Sequence, residues 1–365
     1  MAASHPKFKI PPGQSIAAIK LINAVNFGPA TLKGMMGPPI PHVLTFGADL
    51  VPSLSFLLEH SSGRRLVWDL GIRKDWHNHA PKIAEYIPTR NYTIEVTKNV
   101  IDVLEENGIK GSSVEAVIWS HWHWDHIGDP STFPSTTDLI VGPGFKKAFL
   151  PGAPLNPDSP LLESDWTGRN LREVEFSGPQ SLTIGRFPAY DYFGDGSFYL
   201  LDSPGHAIGH LCGLVRTTTN PDTFVMLGGD ICHHHSVFRP SQHLPLPSSI
   251  LPNPITPERD LPFCPGSAYE ELQKDRGMDP QGPILKPEFG HEIPLALHTI
   301  GKLQELDVDE NILVIIAHDK YARNTVDHFP LSLNSWKERG WGKTLTWAFL
   351  KDFEPYWRSK GVVSD

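Results

Sequence analysis

His121-Trp122-His123-Trp124-Asp125-His126 places three imidazoles and one carboxylate within six residues. The apolar run Val117-Ile118-Trp119 precedes it, and Gly128 follows. That order predicts a buried strand ending in a loop that opens a helix. At the strand end, alternation sends His121 and His123 to the same side, and Asp125 and His126 can turn toward the same point from the first helical turn. N and O donors so closely spaced can hold two metal ions about 3.5–4 Å apart. A lone histidine at a strand end is usually an ordinary hydrogen-bonded residue, and two at alternate positions often arise by chance. The full pattern behind an apolar strand is far rarer.

Three other apolar runs end the same way. Residues 198–201 lead into Ser203-Pro204-Gly205-His206-Ala207-Ile208-Gly209-His210. Residues 224–227 end in Gly228-Gly229-Asp230, and residues 312–316 in Ala317-His318-Asp319. Strands in register bring their ends to one edge of a sheet, where a shared site forms. Residues 54–59 and 65–69, separated by His60-Ser61-Ser62-Gly63, predict a hairpin. Residues 97–107 predict a helix stopped by Gly108. Residues 269–274 predict a short helix, and residues 294–306 a longer one with proline in its first turn. The alternation of strands and helices indicates a layered α/β protein with mixed sheets.

Composition narrows the function classes. With 39% hydrophobic and 20% charged residues, the chain is an ordinary globular sequence. A net charge of −9 and the absence of a long basic run argue against a nucleic-acid partner. No apolar run is long enough to span a membrane, so no membrane partner is expected. Cys212, Cys232 and Cys264 have no framework spacing, which favours free thiols. Met1 to Ile10 lacks the apolar core of a signal peptide, and residues 362–365 match no targeting tail. A cytoplasmic protein is expected.

The ordered set His121, His123, Asp125, His126, His206, Asp230 and His318 resembles that of the metallo-β-lactamase superfamily. It is most similar to the branch of N-acyl homoserine lactone lactonases and related lactone and lactam hydrolases. The likeness spans about residues 20–320, with specificity confined to the motifs. It implies an αββα sandwich, two mixed β-sheets flanked by helices, with the site along one edge. On this basis a single domain over residues 1–365 is expected, carrying a Pro-rich insertion at about 236–290. The resemblance further implies two metal positions: His121, His123 and His206 at the first, Asp125, His126 and His318 at the second, and Asp230 bridging. Imidazole and carboxylate without thiolate suit two Zn2+, with iron or manganese as alternatives.

The remaining residues near these motifs carry weaker expectations. His210 shares the Pro-Gly-His-x-x-Gly-His pattern with His206 and is read as holding neighbouring loops by hydrogen bonds. Asp69 and Asp202 are read as structural, with support of a ligand as the alternative. Bacterial lactonases place a tyrosine three residues after the bridging aspartate, where it contacts the substrate carbonyl. Here that position is His233, which is taken as a substrate contact with different reach and pH dependence. His234 and His235 are expected in solvent. Residues 236–265 hold eight prolines and little periodicity. They are expected to wall the substrate pocket through Phe238, Leu244, Leu246 and Ile250, the alternative being an insertion packed on the fold or on a partner subunit.

The expected function is metal-dependent hydrolysis of a lactone or lactam ring in a small organic molecule, with a xenobiotic or a plant defence compound such as a benzoxazolinone among the candidates. Asp125 would orient the attacking water and pass its proton to the leaving group. Rival readings are a thioester hydrolase on the same metals, an oxidative enzyme with one iron, and a non-catalytic binding module. The complete second ligand set argues against the one-iron enzyme. Retention of every ligand argues against the binding module. The reading leaves room for a homodimer.

Overall fold

The computed structural model describes residues 10–45, 50–259 and 261–363. The signal-peptide expectation at residues 1–9 and the last two residues of the C-terminal tail lie outside them. Two six-stranded sheets dominate. The first runs in the order Ala17–Ile22, Ser55–His60, Arg65–Trp68, Ala116–Ile118, Asp138–Val141, Leu171–Glu173. Its first three strands pair antiparallel, and the remaining pairings are parallel. The second runs Ser181–Ile184, Phe187–Asp191, Phe198–Asp202, Leu211–Thr218, Thr223–Leu227, Ile312–Ile315. It is antiparallel until Thr223–Leu227 pairs in parallel with Ile312–Ile315. Both sheets are mixed, as predicted.

Period-two burial explains the layering. Phe56, Leu58, Leu66, Trp68 and Ile118 of the first sheet face Phe198, Leu200, Val225 and Ile315 of the second, in one apolar cluster between the sheets. The alternate residues Leu57, Val67, Val117 and Leu139 point outward and pack on the helix Val100–Glu106 through Val100, Ile101 and Leu104. Asn99 and Asp102 close a reciprocal capping box at that helix's start. Leu201, Leu214, Met226 and Val314 point out of the second sheet toward Ile300, Leu303 and Leu306 of the helix Ile293–Leu306. The result is helix, sheet, sheet, helix. Among the described residues, no helix is long and apolar enough to cross a membrane.

Strand direction places the site. Ala116–Ile118, Phe198–Asp202, Thr223–Leu227 and Ile312–Ile315 all end at one edge of the sandwich. The predicted ligands follow each of them within a few residues.

The Pro-rich segment departs from the pocket-wall reading and follows the alternative, packing on the fold. Phe238, Ile250, Ile255 and Phe263 are buried in the outer core of the second sheet, with Leu244 and Leu246 packed against it. Phe263 meets Trp357 edge-on, with ring centroids 5.7 Å apart. The proline spacing signals an ordered segment, but these apolar side chains face the sheet and the C-terminal helix Glu354–Ser359.

One buried carboxyl ties stability to pH. Asp165 is buried beside the Arg73–Asp129 ion pair, and burial pushes its pKa up to about 7. Below about pH 4 this group is protonated in folded and unfolded chains alike. Between about pH 4 and about pH 7 only the unfolded chain releases the proton, so stability falls as pH rises. Asp165→Asn removes that slope. The variant should gain on the parent by up to about 4 kcal/mol between about pH 4 and about pH 8. Urea titrations at both pH values check this, and a constant offset would contradict it.

Candidate metal centre

The sheet edge gathers seven side chains into two groups. His121, His123, His206 and Asp230 form one, and Asp125, His126 and His318 the other; within each group the candidate ligand atoms lie within 4.8 Å of one another. In the first, His121 Nε2 and His206 Nε2 each lie 2.9 Å from His123 Nδ1. Asp230 Oδ2 lies 3.5 Å from His206 Nε2 and 3.8 Å from His121 Nε2. In the second, His318 Nε2 lies 3.6 Å from Asp125 Oδ2, and His126 Nε2 lies 3.8 Å from it. Asp230 Oδ1 faces this second group, 3.4 Å from His126 Nε2 and 3.2 Å from His318 Nε2. Oδ2 also lies 3.3 Å from His318 Nε2, so one carboxylate faces both groups at once.

Supporting contacts aim these donors. The His126 Nδ1–H donates to Asp69 Oδ2 at 3.0 Å, which leaves Nε2 turned inward. Asp69 also accepts from the Ser120 backbone N–H and from Ser120 Oγ. His318 Nδ1–H donates to the Pro52 carbonyl at 2.8 Å. The Ser53 hydroxyl donates to the Asp125 carbonyl. His210 Nε2 accepts the Asp230 backbone N–H at 3.0 Å, while its Nδ1 meets Ser203 Oγ at 2.8 Å. Gly229, at φ +51°, makes this turn possible: a Cβ there would lie 3.0 Å from both His210 Nε2 and Ser120 Cβ. Asp69 thus braces His126 and fits the ligand-supporting alternative. Replacing it with Asn should weaken metal binding by about 10- to 100-fold while the fold persists. Competition against a graded series of chelators measures this, and unchanged affinity would rule out the bracing role.

The electrostatics suit cations. Burial holds His121 and His206 well below the usual imidazole range and His123 at about 4, so all three are neutral donors at neutral pH. Burial also opposes charge on His126 and His318, but facing carboxylates, Asp230 foremost, raise both. Burial would raise Asp230, yet His318, His126 and His233 hold it well below the carboxylate range. The second group thus draws positive charge inward. His126 Nε2 and Asp230 Oδ1 are both buried without a hydrogen-bond partner among the described residues. A cation between such atoms satisfies both, and a His and Asp set without thiolate fits zinc, iron or manganese.

A cavity of about 700 Å³ opens on these groups. His123, Asp125, Asp230 and His318 reach it, and so does His233, whose Nε2 lies 3.2 Å from Asp230 Oδ2. His234 and His235 also border the cavity and are buried rather than solvated. His234 Nε2 pairs with Asp352 Oδ2 at 3.0 Å, and His235 Nε2 lies 3.3 Å from Asp319 Oδ2. Among the described residues of 236–265, none lines the cavity. Its apolar wall includes Phe27, Met35, Met36, Tyr92, Trp124 and Phe289. Apart from Trp124, which sits between His123 and Asp125, these come from segments distant in sequence that carry no local signal of this role.

Comparison with known proteins agrees with this architecture. Residues 48–165 match the family described as the metallo-beta-lactamase superfamily. Gamma-lactamase FDB1 of Fusarium pseudograminearum is 43% identical over 360 residues, covering 96% of this chain and 86% of that protein. The chain belongs to the metallo-β-lactamase superfamily. Within it, metallo-hydrolase mfmC of Annulohypoxylon moriforme is 46% identical over 311 residues, 83% of this chain and 79% of that protein. Among solved structures, a B. thuringiensis AiiA mutant with N-decanoyl-L-homoserine at its active site aligns with a TM-score of 0.56 at 17% identity. That alignment covers 87% of this chain and 100% of that chain, and it supports the metallo-β-lactamase fold alone.

Proposed function

We propose that this chain is a dinuclear metal-dependent hydrolase that opens a lactone or lactam ring in a small organic molecule. The observation that carries the reading is the pair of donor groups sharing Asp230 at the wall of a largely apolar cavity. The names of the similar proteins, a gamma-lactamase and a metallo-hydrolase, support the same class. His121, His123 and His206 would hold one ion, Asp125, His126 and His318 the other, and Asp230 both. Zinc is the proposed metal, with iron and manganese compatible with the same donors. When bound, such ions supply Lewis-acid polarisation of a carbonyl and a water whose pKa falls from 15.7 toward about 7.

The protein's own groups do the rest. Asp125 Oδ2 reaches the cavity beside His318 and is positioned to orient a water and carry its proton to the leaving oxygen or nitrogen. His233 borders the same space and can donate to the substrate carbonyl. The apolar wall excludes water from the reacting ring. A lactone asks less of this machinery than an unactivated lactam, because an alkoxide leaves more readily than an amide anion. We place the protein in the reducing cytoplasm, on the free thiols of Cys212, Cys232 and Cys264.

Metal analysis of gently purified protein, combined with a panel of lactones, lactams and thioesters, tests the reading. About two equivalents of metal and chelator-sensitive ring opening are expected. A tightly bound single metal with full activity would sink the dinuclear assignment. Turnover of thioesters alone would sink ring opening.

A further inference from the structure

A short strap at residues 286–292 ties the cavity wall at Met35 and Met36 to the loop that carries His206. On one side, Lys286–Pro287 pairs antiparallel with Met36–Gly37, and the Glu288 N–H donates to the Met35 carbonyl at 2.9 Å. On the other, the His291 and Glu292 N–H groups donate to the His206 and Gly205 carbonyls, each at 2.8 Å. Gly290 lies between, at φ +152°, where a Cβ would come within 3.3 Å of His206 Cα. The strap is thus pressed onto the loop that carries a proposed ligand.

Phe289 sits at its apex. Its ring centroid lies 5.7 Å from His123, 5.8 Å from His206 and 5.9 Å from His233. It lines the cavity and is 39% exposed. An isolated exposed apolar residue is unremarkable on a protein surface. A phenyl ring held over three imidazoles by backbone pairing on both sides is a built feature. The other donor group has its own aromatic wall: Phe27 meets His318 edge-on at 5.5 Å and packs on Tyr92 and Trp124.

We propose that Phe289 is a specificity-determining residue that packs on the face of a flat apolar ring in the substrate above the first donor group, with Phe27 bounding the opposite side. The inference rests on the ring-opening reading of the same site. A partly exposed phenyl ring gains by covering its face with another apolar ring, and such packing depends on shape. A flat fused ring benefits more than a small saturated one.

Fluorescence of Trp122 and Trp124, which line the cavity, reports binding to the zinc-loaded protein. The probes are phthalide, a flat fused lactone, and γ-butyrolactone, a small saturated one. Phe289→Ala should weaken phthalide binding and raise its KM about tenfold. The rise for γ-butyrolactone should be smaller than for phthalide, with metal content as in the parent. Phe289→Tyr should restore phthalide binding. Parent-like phthalide binding and KM in Phe289→Ala would overturn the proposal. So would loss of metal from that variant, which would assign Phe289 to supporting the ligands, and so would a parent protein that binds no flat ring. Phthalide binding that depends on Phe289, without turnover of any lactone or lactam, would instead refute ring opening and leave this inference standing.

Discussion

Asp230→Ala is expected to strip metal from both donor groups together and to lower ring-opening turnover by at least about a thousandfold. The carboxylate of Asp230 faces both groups, with Oδ2 near His206, His121 and His318 and Oδ1 near His126 and His318. A histidine variant in one group removes one donor from one position. Loss of Asp230 removes a donor from each, together with the negative charge that offsets several buried imidazoles. The backbone needs no change, because the Asp230 N–H that His210 accepts is kept in alanine. Metal analysis and turnover, measured on the same preparation, decide the matter. A variant that keeps both ions and near-parental turnover would remove Asp230 from the site.

Asp125→Asn should leave the fold intact and reduce turnover by at least about a hundredfold, the lower end for a lost acid–base group. The amide matches the carboxylate in shape and retains an oxygen that can act as a donor to metal. It loses the charge and the capacity to accept a proton. Ser53 holds Asp125 through its backbone carbonyl, so the substitution does not disturb that anchor. Metal content must accompany the kinetics, because a variant that has lost an ion reports on binding instead of proton transfer. Near-normal turnover at full metal content would refute the proton-carrying role.

The donor set was legible because its signals are local. Four ligand candidates occupy one hexapeptide, and the others each follow an apolar strand run. The mixed sheets and the helices at residues 97–107 and 294–306 followed from periodicity of the same short range. What escaped depends on contacts between distant segments. His234 resembles a solvated residue until Asp352, 118 positions later, is placed against it. Asp69 gains its role only beside His126, 57 positions away. The cavity wall is made of ordinary apolar residues such as Met35, Ile83 and Phe349, whose local sequence is indistinguishable from that of core. Proline density at residues 236–265 signals limited backbone freedom but carries no direction, and those side chains turned toward the outer core.

The parallel run of strand ends has a mechanical consequence. His121 and His123 follow a strand of the first sheet, whereas His206 and Asp230 follow strands of the second. Asp125 and His126 likewise follow the first sheet, and His318 the second. An ion in either position would act as a rivet through the rim of the sandwich, clamping the two sheets where no strand joins them. Tight occupancy at a thousandfold excess over its dissociation constant adds about 4 kcal/mol to folding stability. The melting temperature should then rise and fall with free metal, and the molecule would hold its two leaves together most firmly when it is ready to work.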